Sequence, residues 1–440
     1  MHYDLIVIGM GLSGLMAAKT AAAAGRKVLI LGKGMGSLCL FSNTIDVLGQ
    51  SPTAIHPVRN SVGISNSAEI ILGPNPVAEQ QATISDGVKM TDALSRWIQD
   101  HPLHPYSKVG LKNLEEALSS FLSLFPPPYS FQTIDNRNCL LPTGAGTLRP
   151  TFLIPVTMAA GISVEEGRAL IVGFKSFKDF YARYVADQLR CRAINLELPD
   201  LFSQEPTAAA LARLMEMKSF RENIGREIKK QLQDEIRIGL PAVLGTHDPA
   251  QIKDDLEATI GAKVFEIPIL PPSIPGLRIF NCFKEWLIRN GVTFLLGYSV
   301  SKTALRGKRC QSIEVLHPPV TTSYSADRYI LATGRFIGGG LKADNEKVVE
   351  PIFNFPLSQP LSRKDWFKDS FLSFLPHPIH GAGVLTDAAF QPVDAGGDVI
   401  LENVWAAGSI LAHHYCIDEK SREGIEISTG YMAAKNALQI

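Results

Sequence analysis

Residues 5–14 decide the fold and read Leu-Ile-Val-Ile-Gly-Met-Gly-Leu-Ser-Gly. The apolar run Leu5–Ile8 predicts a buried strand, a G-x-G-x-x-G turn follows at once, and an alanine-rich helix leads to a second strand, Lys27–Leu31. In such a unit the first glycine permits a tight turn, the second admits a phosphate, and the third lets the helix pack on the strand. The amides at the start of the helix then face an anion. The sequence therefore predicts a dinucleotide or flavin phosphate site.

The second strand lacks a carboxylate that this unit normally carries. An acidic residue about 20 residues further on usually binds the adenosine ribose, but here the sequence is Leu31-Gly32-Lys33-Gly34. An intact phosphate site without the adenosine clamp favours FMN over FAD or NAD. Two alternatives stay open: Lys33 takes a second phosphate, as in an NADP site, or Lys33 or a loop replaces the clamp and the cofactor is FAD.

Composition excludes several classes of protein. The 440 residues are 45% hydrophobic and 20% charged, with 43 basic and 43 acidic side chains. This is ordinary globular composition, long enough for two or three domains, and without a basic block it predicts no nucleic-acid partner. The apolar stretch Leu5–Ala24 is interrupted by three glycines and has no basic segment before it. We therefore expect a buried strand and helix there, and no direct membrane insertion anywhere.

The cysteines and histidines give no metal signature. The six cysteines are scattered, without a C-x-x-C pair, which argues against an iron–sulfur cluster or a zinc ribbon. Aspartates and histidines show no metal-ligand spacing either. We expect no metal, and the absence of a disulfide framework fits a reducing, cytoplasmic compartment.

Strands and helices alternate through the middle of the chain, which predicts an α/β fold with a parallel sheet. One long helix is expected over Thr207–Leu232, capped by Thr207, another over Leu277–Arg289, and a surface loop over 51–80. We predict a Rossmann-like FAD/NAD(P)-binding fold built from discontinuous segments, with an inserted α/β domain. The expected divisions are 1–160, 161–270 and 271–440.

Two later signatures support this fold: Tyr329–Gly334, ending in Ala-Thr-Gly, and Val404–Ser409, containing Ala-Ala-Gly-Ser. With the amino-terminal glycines they resemble the glutathione-reductase-like class of flavoproteins with two dinucleotide folds. The resemblance implies that the third signature meets the ribityl phosphate and that the helix starting near Gly424 points at the flavin ring. The residues predicted to bind the cofactor are Gly9, Gly11, Leu12, Ser13, Gly14, Gly32, Lys33, Ser42, Asn43, Thr44, Thr147, Thr333, Gly334, Arg335, Gly408, Ser409, Gly424 and Ile425.

Over nearly its whole length the chain resembles the B subunit of the anaerobic, quinone-linked glycerol-3-phosphate dehydrogenases. The proline-rich run Leu270–Arg278 and the glycine-rich run Leu331–Leu341 are the most distinctive matches. The resemblance implies a subunit carrying FMN, an FAD-containing A subunit, and an iron–sulfur C subunit that anchors the complex to the membrane. It also implies oxidation of glycerol 3-phosphate to dihydroxyacetone phosphate, electrons passed towards quinone, and a cytoplasmic location peripheral to the inner membrane through the partners.

Candidate catalytic residues follow from the chemistry of alcohol oxidation, which needs a base near the hydroxyl proton and cations for a phosphate. His413 and His414 follow the third signature, and Arg149 and Arg278 lie in glycine- and proline-rich segments that can aim a guanidinium. The alternatives are a surface histidine pair and ion pairs that tie loops together. Glu426 stands in the first turn of the last helix, where an acid is commonly solvated.

The sequence leaves three functions open. The chain either oxidises the substrate or relays electrons between the substrate-oxidising subunit and an iron–sulfur partner, and the relay role is preferred because no base–cation constellation stands out. A second reading is a stand-alone flavin-dependent dehydrogenase or reductase of a hydroxy acid or carboxylate. A third is an assembly subunit that has lost its cofactor, and the missing carboxylate at Gly32 and the unusual start of the last helix, with Glu426 in its first turn, are what such a loss would look like.

Overall fold

The computed structural model describes residues 2–49, 88–198, 205–317, 319–371, 373 and 375–439. The predicted loop at 51–80 lies outside these residues. The helices are α1 (Leu12–Ala23), α2 (Met90–Asp100), α3 (Pro105–Val109), α4 (Leu111–Leu122), α5 (Ala182–Leu189), α6 (Ala208–Glu216), α7 (Lys218–Gln231), α8 (Pro249–Ile260), α9 (Ile274–Arg289), α10 (Cys416–Glu419) and α11 (Arg422–Leu438).

Nineteen strands are present in the described residues. They are β1 (His2–Ile8), β2 (Val28–Gly32), β3 (Phe131–Gln132), β4 (Cys139–Pro142), β5 (Leu148–Thr151), β6 (Ile154–Pro155), β7 (Ala169–Phe174), β8 (Arg192–Leu196), β9 (Arg237–Pro241), β10 (Lys263–Ile267), β11 (Thr293–Leu296), β12 (Ser299–Arg306), β13 (Arg309–His317), β14 (Val320–Leu331), β15 (Lys342–Ala343), β16 (Val348–Val349), β17 (Leu357–Ser358), β18 (Gly383–Val384) and β19 (Val404–Ala406).

The larger sheet joins segments that are far apart in the chain. Its parallel part has the order β11-β2-β1-β14-β19, and β12 and β13 extend the first half of β14 as an antiparallel meander. Leu5, Ile6 and Val7 of β1 are fully buried, as expected for a parallel sheet covered on both faces. The Rossmann-like α/β fold that the sequence predicts is confirmed, and the carboxyl ends of the five parallel strands meet at one edge.

A smaller parallel sheet has the order β10-β9-β7-β8 and a hydrophobic core of its own. Helices α5 to α8 alternate with its strands. The sheet lies inside the segment 161–270 that the sequence assigns to an inserted domain. The inserted α/β unit is thus observed, while the exact divisions of the chain stay a prediction.

The prediction of one helix over Thr207–Leu232 is wrong, because the chain forms α6 and α7 with Met217 extended between them (φ −80°, ψ 116°). Thr207 caps α6 as predicted, since its Oγ1 accepts a hydrogen bond from the Ala210 amide at 3.2 Å. At the break, Arg221 Nη1 donates to the carbonyl oxygen of Glu216 at 2.8 Å. A side chain therefore takes the place of the helical amide that would have continued α6.

Helix α9 begins at Ile274, three residues before the predicted start at Leu277. Ser273 caps it, with Oγ accepting from the Gly276 amide at 2.9 Å. Pro275 lies in the first turn, where the missing amide hydrogen costs nothing. The proline-rich run is thus partly a helix start, and Arg278 lies in the second turn of this helix.

Candidate cofactor site

A cavity of about 830 Å³ opens at the carboxyl edge of the larger sheet. Its wall contains the residues that follow β1, β2, β11, β14 and β19, together with parts of α10 and α11. Open α/β sheets bind ligands at this edge, and the volume lies in the upper part of the range for cofactor pockets. We call its two extremes the β11 end, at Tyr298–Ser301, and the β19 end, at Ser409 and Tyr415–Glu426.

The glycine turn has the geometry that a phosphate site needs. Gly9 has φ +122°, and a Cβ there would overlap the carbonyl oxygen of Ala332. Gly11 lines the cavity, and a Cβ on it would meet no protein atom within 4 Å. A Cβ on Gly14 would overlap the carbonyl oxygen of Gly9, so this glycine lets α1 pack against the turn. The three glycines therefore have the separate tasks that the sequence assigns to them, and the turn fits a nucleotide phosphate.

The crossing of α1 and α11 closes the cavity beside the third signature. A Cβ on Gly408, which has φ +83°, would overlap Ser13 Oγ, and a Cβ on Gly430 would overlap the Ser13 carbonyl oxygen. The amide of Gly408 donates to Thr429 Oγ1 at 2.8 Å. Ser13 and Ser409 line the cavity, whereas Gly408, on the turn after β19, does not line it and packs between Ser13 of α1 and Thr429 of α11.

At the β11 end, the cavity passes the place where the carboxylate is missing. Gly32 and the exposed Lys33 line the wall there, followed by residues 298–301 and by Lys342. Thr303 Oγ1 donates to the carbonyl oxygen of Ile352 at 3.4 Å, which holds the segment after Lys342 against β12. Two lysines therefore provide the positive charge at this end.

At the β19 end, the last helix contributes different residues from those predicted. Helix α11 begins at Arg422, and Arg422 and Glu426, one turn apart, line the cavity. Gly424 and Ile425 are buried on the other side of the helix, and a Cβ on Gly424 would overlap Tyr106 Oη. Because of the rotation of α11 about its axis, Gly424 and Ile425 do not face the cavity.

Both arginines on the cavity wall are committed to protein partners. Arg422 donates to Glu423 Oε1 through Nε at 2.8 Å and Nη2 at 2.6 Å. Arg335 donates to the carbonyl oxygens of His380, Leu411 (3.1 Å) and His414 (3.1 Å). Burial lowers the pKa of Arg335, and nearby ionisable groups only partly offset this. Its role is to join three loops of the wall, beside Thr333 and Gly334, which line the cavity as predicted.

Several predicted cofactor residues lie away from the cavity. Asn43 is fully buried with φ +72°, and its Oδ1 accepts from Tyr129 Oη at 2.9 Å. Ser42 and Thr44 bond each other at 3.1 Å, and Thr147 bonds Thr143 at 2.8 Å inside a hairpin. Leu12 is also buried, behind the glycine turn. The segment that lies along the cavity after β2 is instead Met35–Ser37 with Cys39.

Neither His413 nor His414 lines the cavity. After the third signature the chain runs beside β18, where the Ala412 amide donates to the Val384 carbonyl oxygen at 3.1 Å. This path leads the chain away from the cavity. His413 faces a second cavity of about 570 Å³, which shares Tyr415 with the first. His414 is completely buried, and burial, followed by Arg335 and His104, lowers its pKa well below the usual value.

The two predicted catalytic arginines are also held in ion pairs. Arg149 lies on β5 of the β4–β5 hairpin and pairs with the buried Asp46, with its Nε at 2.8 Å from Oδ2. Arg278 is buried in α9, and its Nη1 and Nη2 each donate to Glu266 at 2.7 Å. Both contacts match the alternative interpretation given in the sequence analysis, in which these arginines form ion pairs that hold separate segments together.

Sequence reasoning missed His380 and Tyr415 as cavity residues and left Arg422 and Glu426 without a cofactor role. His380 lies in a proline-rich segment that carries no recognisable signal. Arg422 and Glu426 were visible at the start of the last helix, but their orientation depends on the rotation of α11. Glu426 is 5% exposed, so the expectation that it is solvated is wrong.

In the described part of the chain, no group of three or more His, Cys, Asp or Glu side chains is placed to hold a metal ion. Among the same residues, no helix has both the length and the apolar character that a membrane crossing requires.

The sequence profile of the family described as FAD binding domain matches residues 4–61 and 73–417. These residues are most of the chain and include all three signatures. The chain therefore belongs to this class of flavoproteins, and its cofactor is a flavin.

Curated relatives narrow the class. The chain is 30% identical over 453 residues to the probable B subunit of the anaerobic glycerol-3-phosphate dehydrogenase of Halobacterium salinarum, covering 99% of this chain and 98% of that protein. It is 28% identical over 459 residues to the corresponding B subunit of Vibrio cholerae, covering 100% and 97%. The chain belongs to the family of anaerobic glycerol-3-phosphate dehydrogenase B subunits, as the sequence predicts, and is a flavin-dependent dehydrogenase component.

Among solved structures, 3-ketosteroid Δ1-dehydrogenase from Sterolibacterium denitrificans is similar, with a TM-score of 0.40 and 10% identity over the whole of both chains.

Proposed function

We propose that the cavity holds FAD, with the flavin ring at the β19 end and the adenosine at the β11 end. The supporting observation is the length of the cavity. Five strand ends border it, and four strand spacings of about 4.8 Å span roughly 19 Å. FMN, which the missing carboxylate predicts, would leave the wall at Tyr298–Ser301 uncovered. Lys33 and Lys342 supply charge to the adenosine half in place of the ribose carboxylate.

The chain's own residues bind and orient this cofactor. A flavin supplies hydride acceptance and stepwise electron release. The amides at the start of α1, reached past Gly11, hold the phosphates. Arg335 fixes the wall beside Thr333, and Ser409 contacts the ribityl region.

The proposed activity is electron transfer within an anaerobic glycerol-3-phosphate dehydrogenase complex. Binding glycerol 3-phosphate beside the ring would require a cation available for its phosphate. Of the four Lys and Arg side chains on the described cavity wall, Arg422 is paired with Glu423, Arg335 donates to three main-chain carbonyl oxygens, and the two lysines lie towards the β11 end. Arg149 and Arg278 are paired as well. This distribution supports a relay that receives electrons from a substrate-oxidising partner.

The partners of this relay are an FAD-containing A subunit and an iron–sulfur C subunit that anchors the complex to the membrane. Through them the chain would be cytoplasmic and peripheral to the inner membrane. This assignment is supported by the B-subunit relatives, which match over their full length.

A second candidate is direct oxidation of the alcohol. It is favoured by His380, which lines the cavity and whose pKa is lowered by burial, although Asp418 raises it. A neutral imidazole at pH 7 is able to accept a hydroxyl proton.

Two measurements test these proposals. Chromatography of the chromophore released by heat should give FAD, and an FMN peak would overturn the cofactor assignment. The isolated holoprotein should oxidise glycerol 3-phosphate with an artificial dye at under about 1% of the rate of the complex, because it lacks an available phosphate ligand. A rate near that of the complex would support the second candidate instead.

A further inference from the structure

Glu426 stands out among the charged groups of the cavity. It is the fifth residue of α11, one turn after Arg422, it lines the cavity, and it is 5% exposed. Ser37 Oγ donates to its Oε1 at the long distance of 3.5 Å. The nearest positive charge on the same helix, Arg422, donates two hydrogen bonds to Glu423. Glu426 therefore has no ion-pair partner of its own among the described residues.

We propose that Glu426 is the proton-binding group of the cavity, taking up one proton when electrons enter and releasing it when they leave. This inference rests on the proposed function, since it concerns the flavin at the β19 end. Negative charge that arrives on a ring at this end would be close to an ionised Glu426, whose side chain is almost completely shielded from solvent. Protonation of the carboxylate removes that repulsion.

The groups around Glu426 are consistent with this role. Arg422 and Glu423 lie on its own helix, Ser409 on the turn after β19, Ser37 on the segment after β2, and Cys416 on α10. The pKa of Glu426 is raised to about 7, mainly by burial and also by Glu423, although Arg422 and the two serines act to lower it. A carboxyl with this pKa changes its protonation when a nearby charge appears.

The proton and electron balance is simple. A secondary alcohol that becomes a ketone, on this chain or on a partner, loses two electrons and two protons. One proton accompanies the electrons as hydride, and the other is matched by the new O–H bond on Glu426. When the two electrons leave to the next carrier, the O–H bond of Glu426 breaks and both protons return to water.

The test is a potentiometric titration of the holoprotein between pH 5.5 and 8.5, with dithionite as reductant. Above pH 7, the pH slope of the midpoint potential in the wild type should correspond to one proton more per electron pair than in Glu426→Gln, and the two slopes should converge towards pH 5.5, where Glu426 is protonated before reduction. Glu426→Asp should restore the steeper slope. Glu285→Gln, which changes an exposed glutamate of α9, should leave it as in the wild type. His380 also lines the cavity, but it is present in all these variants and cancels in the comparison.

Equal slopes in the wild type and Glu426→Gln would overturn the proposal. A second measurement uses the wild type alone and so does not depend on a variant that keeps its flavin. The infrared difference between reduced and oxidised wild-type protein should show a protonated carboxyl band that appears on reduction and shifts in D2O, and its absence would also overturn the proposal. Neither measurement uses glycerol 3-phosphate or a partner, so a failed relay or substrate assignment is recognised separately. A colourless protein would contradict the proposed function, and the visible spectrum taken first identifies that case.

Discussion

Arg278 and Glu266 form a forked ion pair in which Nη1 and Nη2 each lie 2.7 Å from a carboxylate oxygen. Glu266 belongs to β10 of the smaller sheet, and Arg278 belongs to α9, which returns the chain to the larger sheet. Both partners also form hydrogen bonds with nearby main-chain groups. Leu244 N donates to Glu266 at 3.0 Å, and Arg278 Nε donates to the Gly245 carbonyl oxygen at 2.7 Å. The two sheets are therefore joined by a buried and well-satisfied contact.

Replacing Arg278 with Met should lower the free energy of unfolding by about 3–5 kcal/mol, because Glu266 would remain buried without its partner. Urea unfolding followed by circular dichroism measures the change. Arg289→Met is the matched control, since Arg289 lies on the same helix in an exposed pair with Glu285. This control should change stability by less than about 1 kcal/mol. Similar losses in both variants would show that the buried ion pair contributes no more to the free energy of unfolding than the exposed one.

Gly9→Ala should prevent flavin binding and destabilise the fold. The new Cβ would overlap the Ala332 carbonyl oxygen, and φ +122° is strained for alanine. Visible absorbance of the purified protein and its thermal midpoint measure the two effects. Gly25→Ala is the control, because it also has positive φ (+72°) but meets no atom within 4 Å. It should cost roughly 1–2 kcal/mol and keep the flavin, and loss of flavin in both variants would contradict the prediction.

Gly11→Ala should separate binding from folding. Its Cβ would project into the cavity without touching another protein atom. The thermal midpoint of the apoprotein should therefore change little. The dissociation constant for FAD, measured by fluorescence titration, should rise at least about tenfold, equivalent to 1.4 kcal/mol. Unchanged affinity would mean that the phosphates do not approach this glycine.

Glu216→Gln should reduce stability at neutral pH and much less in acid. Burial opposes ionisation of Glu216, but hydrogen bonds from Thr246 and His247 outweigh it and lower its pKa to about 2. A depressed pKa contributes stability above the unfolded value of 4.5, and this contribution is lost as the pH falls towards 2. Because the side chain is 31% exposed, we expect roughly 1–2 kcal/mol at pH 7 after allowance for screening.

The check is urea unfolding of the wild type and Glu216→Gln at pH 7 and pH 3. The difference between them should fall to less than half at pH 3. A difference that is the same at both pH values would show that Glu216 acts through packing and not through its charge.

The glycine turn could be predicted from the sequence because its parts are neighbours in the chain. Strand, turn and helix follow one another within 25 residues, and each glycine is required by local backbone geometry. The role of Arg278 could not be predicted in this way. Its partner Glu266 becomes a neighbour only when the smaller sheet has formed and α9 has begun three residues early.

Residues of the last helix illustrate a second limit. The position of α11 beside the cavity could be predicted from the third signature, but the rotation of the helix about its axis could not be predicted from the sequence. Residues four apart share a helical face, so Arg422 and Glu426 point into the cavity while Gly424 and Ile425 between them point away. A hydrophobic pattern cannot decide this, because almost every residue of α11 is buried.

The close crossing of α1 and α11 has a consequence for the synthesis and folding of the protein. Ser13 leaves the ribosome long before Gly408 and Gly430, which it contacts. The nucleotide-binding site is therefore incomplete until Gly430 has emerged, and contacts so distant along the chain form slowly. We therefore expect flavin to bind only after the two segments have met, and until then the apolar surface of α1 is exposed to chaperones and to aggregation.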